Sequence, residues 1–278
     1  MSVFHKRSSN GKEKKNVEMQ RGSILGERTD FYVKEAYKAL RTNVIFSIPA
    51  DGCRRICVTS STAGEGKSIT TLNLAISFAE AGRHVLLIDA DLRRPNQSRL
   101  LNESATPGLS TILAGLCPLE ETVHKGIRSH LDVIFSGEVP PNPSELLGHE
   151  RMRALLDTLS SQYDYILIDT PPVNVVTDAC VLSNVLDGVL FVVRNDYAES
   201  DAVLAAVKQL ELAGAKLLGF ILNGIDSSTE KYGYGKYKNY GYKYTYAGEM
   251  QKQKSIHTKG QTEKTAVQNS DTGKSNMK

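Results

Sequence analysis

The stretch Val58–Thr71, "VTSSTAGEGKSITT", decides the fold. It leaves a short apolar run, "RRICVTS" (Arg54–Ser60), crosses a loop holding Gly64 and Gly66, and enters a segment of helical spacing. In that segment Ile69, Leu72, Ala75, Ile76 and Ala79 fall on one face, and Gly82 is placed to cap the end. Gly66-Lys67-Ser68 at a strand–loop–helix junction is an arrangement that binds phosphate. Backbone N–H groups of the loop and the helix N-terminus cradle the oxygens. Lys67 reaches the β- and γ-phosphates, and the Ser68 hydroxyl joins a Mg²⁺ shell. The tripeptide alone carries little; the strand before it, the helix after it and Gly64 within the loop give it weight. The first glycine of the usual eight-residue pattern is Ser61 here, so the loop is a variant. Ala63, Gly64, Glu65, Gly66, Lys67, Ser68 and Ile69 are the expected nucleotide-binding residues.

Further runs of the same character follow: "HVLLIDA", "LDVIFSG", "YDYILID", "GVLFVVR" and "KLLGFILN". Short, rich in Val, Ile and Leu, and polar only at their ends, they suit strands buried on both faces of a parallel sheet. Helical segments separate most of them. "PSELLGHERMRALLDTLS" reads as one helix with Ser144 as N-cap and Leu146, Leu147, Met152 and Leu155 inward. "ESDAVLAAVKQLELAG" runs to Gly214, and "TDFYVKEAYKALRTNVIFS" is an extra helix ahead of the first strand. Alternating strand and helix predicts an α/β fold, a P-loop NTPase-type parallel sheet sandwiched by helices.

Two more strands end in acids. "HVLLIDADLRRP" carries Asp89 and Asp91, two apart and so on one side of an extended chain, and "YILIDTPPV" carries Asp169. Ligands of open parallel sheets bind beyond the C-terminal ends of the strands, so all three carboxylates are expected to converge on the loop. Asp169 suits the holding of Mg²⁺, directly or through water.

The whole chain bounds the reading. Its 278 residues allow one generous domain, and a net charge of +3 is too mild to argue for nucleic acid. No apolar run is long enough to span a membrane, and the basic start lacks the apolar stretch of a signal peptide, which makes the cytoplasm the default. The four cysteines, Cys53, Cys57, Cys117 and Cys180, have neither zinc spacing nor partners and read as small buried or half-buried residues. The polar ends lack the apolar surface to offset ordering entropy. The expected organisation is therefore a disordered basic N-terminus over 1–28, a P-loop domain over 29–228 with its first helix at 29–48, a tyrosine cluster at 229–248 and a disordered tail at 249–278.

The combination resembles one family. Asp-x-Asp-x-Arg after an apolar triplet, "LLIDADLR", is similar to the additional Walker A′ motif of the bacterial tyrosine kinases of capsule and exopolysaccharide loci. "SSTAGEGKS", "PPNPSELL" and "ILIDTPPV" resemble its cytoplasmic Gram-positive form. The likeness covers roughly 30–248. It implies a protein-tyrosine kinase using ATP and Mg²⁺, with Asp89 as base at the acceptor hydroxyl and Asp91 and Asp169 at the metal. It also implies a homo-oligomeric ring docked through Glu35, Lys38 and Arg41, where Lys38 replaces the family's usual Arg and loses its bidentate fork. A separate transmembrane activator that recruits the chain to the membrane, and a tyrosine phosphatase, are the further partners implied. The alternative is a partitioning or assembly ATPase, whose loop carries a signature lysine where this chain has Thr62.

"EKYGYGKYKNYGYKYTYAGE" (Glu230–Glu249) supplies the acceptor that a kinase needs. Tyr232, Tyr234, Tyr237, Tyr240, Tyr242, Tyr244 and Tyr246 lie there, out of 12 Tyr in the chain. Interleaved Tyr and Lys could also stack on single-stranded nucleic acid, or form a self-associating segment. Beside the loop and the three acids, the cluster reads as the phosphorylated segment. Whether each tail enters its own site or a neighbour's stays open at the level of the residues; the resemblance favours the neighbour.

Overall fold

A computed structural model describes residues 17–48 and 52–225. The chain divides into two units, Met1–Gly224 and Ile225–Lys278, and the sheet and its helices belong to the first. The tyrosine cluster, the tail behind it and residues 1–16 lie outside the described residues.

Seven strands form one sheet: β1 (Arg54–Ser60), β2 (Val85–Asp89), β3 (Val123–Arg128), β4 (Leu131–Ile134), β5 (Tyr165–Asp169), β6 (Gly188–Arg194) and β7 (Leu217–Asn223). Their order is β3-β4-β2-β5-β1-β6-β7. Six are parallel, as the apolar runs predict, and β3 lies antiparallel at one edge. The sequence hides β3 because "VHKGIR" is polar on an edge exposed to water, and Gly126 (φ +67°) interrupts its pairing with β4.

Helices cover both faces of the sheet because side chains alternate along each strand. On one face Val58, Val85, Leu87 and Leu167 pack against Leu72, Ile76 and Phe78 of the helix Lys67–Glu80 and against Val44 of the helix Phe31–Ser47. On the other face Leu86, Ile88, Ile166 and Ile168 meet Leu147, Met152, Leu156 and Leu159. Cys57, Val189 and Phe191 meet Ala206 and Leu210 of the helix Ser200–Leu212. Cys57 is buried and the other three cysteines are half-buried, all of them free thiols.

Two expectations need correction. The single helix read from "PSELLGHERMRALLDTLS" is two, Pro143–Gly148 and Glu150–Leu159. His149 between them has extended backbone (φ −71°, ψ 150°), and its Nδ1 accepts from the Arg151 N–H. Ser144 is not the cap; Asn142 precedes the helix, with Pro143 in the first turn. The folded body also starts ahead of residue 29. Leu25 is buried in the core, the Asn73 side chain accepts from its N–H (2.8 Å), and the same amide donates to the Ser23 carbonyl (2.9 Å). Two aliphatic residues, Ile24 and Leu25, suffice to dock this segment, too few to register as periodicity.

Candidate active site

Strand register assembles the site. Val58 of β1 and Asp89 of β2 each lie opposite Asp169 of β5, so β2 and β5 end at one level and β1 runs two residues past it, to Ser60. The loop Ser61–Gly66 leaves the end of β1, and Lys67 opens the helix behind it. Gly64 and Gly66 have φ of +88° and +90°, conformations that disfavour any side chain.

The departure at Ser61 has a local cause. Its hydroxyl donates to both oxygens of Glu65 (3.0 and 3.1 Å), and the Thr62 N–H donates to the same carboxylate (2.9 Å). Glu65 is fully buried in this brace, so of its groups only the backbone N–H is left for a phosphate. Outside the loop, Tyr197 Oη, Arg194 Nη1 and Asn223 Nδ2 donate to the carbonyls of Ala63, Gly64 and Glu65.

The expected acids do converge. Lys67 Nζ donates to Asp91 Oδ2 at 3.2 Å, with both side chains largely buried. Burial works against the lysine's charge, yet Asp169, Asp91 and Asp89 outweigh it and hold its pKa above the ordinary value. Burial, followed by the charge of Asp169, pushes the Asp89 carboxyl well above the usual carboxylate range. Asp169 is also raised by burial, with Lys67 opposing. Close carboxylates in a dry site cannot all ionise without a compensating cation.

Their hydrogen bonds differ in what they leave open. Asp89 is fully buried; Oδ1 accepts from the Asp91 N–H (3.3 Å), and Oδ2 accepts from the N–H groups of Asn96 and Gln97 (3.1 and 3.0 Å). As placed, it braces the turn and presents no open face to an incoming hydroxyl. Asp91 Oδ1 accepts from the Arg94 N–H. Gln97 Nε2 bridges the Ser68 carbonyl (3.0 Å) and Asp169 Oδ2 (2.9 Å). Asp169 Oδ1 is buried without a hydrogen-bond partner. No three carboxylate, His or Cys side chains among the described residues form a ready-made metal cage. Mg²⁺ is ordinarily held by one or two protein groups with water and phosphate, so the unpartnered Asp169 oxygen and the Ser68 hydroxyl fit such an ion.

Sequence reasoning missed several neighbours. Arg93 Nη2 donates to Ser144 Oγ (2.8 Å), which donates to the fully buried Asp178 (2.6 Å), and Arg93 Nε lies 3.5 Å from the other Asp178 oxygen. This ties the Asp-x-Asp-x-Arg turn to "PSELL". Arg194 and Asn223 end β6 and β7, and the rule that pointed to Asp89 and Asp169 as strand-end residues also covers them. The expected oligomerisation residues divide: Lys38 pairs with Glu35 on the surface (2.7 Å), while Arg41 donates inward to the carbonyl and hydroxyl of Ser77.

No helix among the described residues is long and apolar enough to cross a membrane. Residues 53–216 match the family described as an AAA domain, and the fold implies nucleotide binding with a divalent metal. "Tyrosine-protein kinase YwqD" of Bacillus subtilis is 38% identical over 84% of this chain and 96% of its own. "Tyrosine-protein kinase CpsD" of Streptococcus agalactiae is 37% identical over 75% of this chain and 90% of its own. Among solved structures, the kinase domain of Escherichia coli tyrosine kinase ETK superimposes with a TM-score of 0.67 at 34% identity, covering 76% of this chain and 92% of that one. The septum site-determining protein MinD of Pyrococcus horikoshii is more distant, with a TM-score of 0.53 at 27% identity over 61% and 70%. Loop, acids and relatives agree: the chain belongs to the bacterial tyrosine-protein kinase family.

Proposed function

We propose that this kinase transfers the γ-phosphoryl group of ATP to Tyr232, Tyr234, Tyr237, Tyr240, Tyr242, Tyr244 and Tyr246 of the cluster, in the service of capsule or exopolysaccharide assembly. The observation that carries the reading is Lys67 paired with Asp91 beside the unpartnered Asp169 oxygen at the mouth of a phosphate loop. The N–H groups of Gly64, Glu65, Gly66 and Lys67 bind the phosphate chain, and Lys67 exchanges Asp91 for the β- and γ-phosphates. Ser68, Asp169 and Asp91 are the residues that would hold Mg²⁺. The cation, when bound, neutralises charge on the phosphates. The tyrosine oxygen bonds to the γ-phosphorus, the bond from that phosphorus to the bridging oxygen breaks with its electron pair leaving on ADP, and the phenolic proton passes to a base. Phosphoryl transfer asks chiefly for positioning and charge neutralisation, so a weak nucleophile with pKa near 10 is sufficient.

Asp89 has the raised proton affinity that suits a base. Its Oδ1 accepts one N–H and has an acceptor position left, but the side chain is fully buried, so the turn Asp91–Gln97 has to shift to admit the acceptor. A ring of copies docked through the helix Phe31–Ser47, a membrane-bound activator that brings the chain to the inner face of the membrane, and an opposing phosphatase complete the reading. Arg41 would have to leave Ser77 to join a neighbour.

Incubation with γ-labelled ATP followed by peptide mapping tests the assignment. Label is expected within Tyr232–Tyr246 and is lost in Lys67→Met. Free phosphate without labelled protein would instead support the ATPase reading. Lys67→Met leaves buried carboxylates uncompensated, at about 3–5 kcal/mol, so its folded state is checked by circular dichroism.

A further inference from the structure

Three consecutive peptide carbonyls of the loop are each held from outside by a different side chain. Tyr197 Oη donates to Ala63 O at 2.9 Å, Arg194 Nη1 to Gly64 O at 3.0 Å, and Asn223 Nδ2 to Glu65 O at 2.9 Å. A trans peptide is planar, so a carbonyl turned one way turns the next N–H the other way. Fixing these three carbonyls therefore directs the N–H groups of Gly64, Glu65 and Gly66 away from the three donors. Successive N–H groups facing one concavity make an anion-binding nest.

We propose that Arg194, Tyr197 and Asn223 are positioning residues for phosphate binding, a latch that holds the nest aimed before the nucleotide arrives. This deepens the nucleotide reading above and rests on it. Glycine geometry supports the latch independently. A Cβ at Gly64 would come within 2.9 Å of the Tyr197 hydroxyl, and one at Gly66 would collide with the Asn223 amide. Both glycines are thus required by their φ and by the closeness of the donors. The latch is also braced as a unit: the Arg194 guanidinium lies 5.0 Å from the centre of the Tyr197 ring, and the Asn195 N–H donates to the Asn223 carbonyl at 2.8 Å. Tyr197 is 51% exposed, so its hydroxyl serves the loop more than the core.

The test is ADP binding in excess Mg²⁺, by calorimetry, for the native chain, Tyr197→Phe and Asn223→Asp. Loss of one donor is expected to weaken ADP about 3- to 10-fold in Tyr197→Phe, the range of one ordinary hydrogen bond. Asn223→Asp turns an acceptor against an acceptor and is expected to weaken ADP more than Tyr197→Phe does. Amide spectra give a readout that mere packing would not move: the displacement of the Gly64 and Gly66 N–H resonances by ADP shrinks in both variants. Variants that bind ADP within twofold of native, with native glycine displacements, overturn the latch alone. A native chain that does not bind ADP overturns the nucleotide reading together with the latch. Tyr197→Phe keeps the ring, so it decides the matter even if Asn223→Asp fails to fold.

Discussion

At the scale of single residues, the site carries an electrostatic cost. Asp89 is buried beside Asp169, and that burial, then the neighbouring charge, lifts its pKa well above the ordinary value. A carboxylate raised in this way favours the fold fully below its unfolded pKa of about 4. It loses that contribution progressively as pH rises from there through the raised folded value, so Asp89 weighs against the fold more at pH 8 than at pH 5. Asp89→Asn is therefore expected to raise the melting temperature of the nucleotide-free protein at pH 8 by about 2–4 °C, corresponding to about 1 kcal/mol in a domain of this size. The gain should shrink toward pH 5, while tyrosine labelling falls about 100-fold or more. Calorimetry at both pH values checks the sign; a lower melting temperature at pH 8 would sink the argument. Lys67, Ser68 and the three acids were legible in the sequence because each sits at a fixed offset from a strand end. Asn223 also ends a strand, but neither its contact with the loop nor that of Tyr197 was legible, because they span 158 and 134 residues of chain. No local pattern encodes that contact.

At the scale of elements, the sequence spoke clearly where apolar runs were long and faintly at edges. The six parallel strands and the helix Lys67–Glu80 followed from periodicity, whereas β3 is a polar edge and His149 breaks a helix whose apolar spacing continues past it. The segment ahead of residue 29 has the largest practical effect. It lies against the back of the helix that carries Lys67 and Ser68 and is gripped there by Asn73. Leu25→Ala is expected to cost about 2–5 kcal/mol, and Asn73→Ala about 1–3 kcal/mol. Urea midpoints measure both. A chain begun at residue 29 loses these contacts together, and an unchanged midpoint in that truncation would show the segment to be dispensable.

At the scale of the whole molecule, the kinase rests on a frame that distant ATPases share, so the fold alone did not choose between phosphorylating a tyrosine and hydrolysing ATP. The tyrosine-rich extension and the Asp-x-Asp-x-Arg turn pointed to the first, and the relatives are named tyrosine kinases. The structure adds where that extension is rooted. Asn223, nine residues before Tyr232, touches the chain's own phosphate loop, a relation that only the completed sheet order defines. The three carboxylates facing one lysine have a further consequence, best put in terms of linkage. Nucleotide without a cation brings more negative charge to a site already in excess, so metal and nucleotide must each raise the other's affinity by the same factor. Melting curves should register this: ADP with Mg²⁺ raises the transition by several degrees, as about 2.7 kcal/mol at a hundredfold excess over Kd requires, whereas ADP with EDTA leaves it nearly in place. Equal shifts under the two conditions would mean that the site's charge is balanced in some other way. If the unpaired oxygen of Asp169 takes up the cation, the site works as a coincidence detector for nucleotide, answering to it fully only when the metal arrives with it.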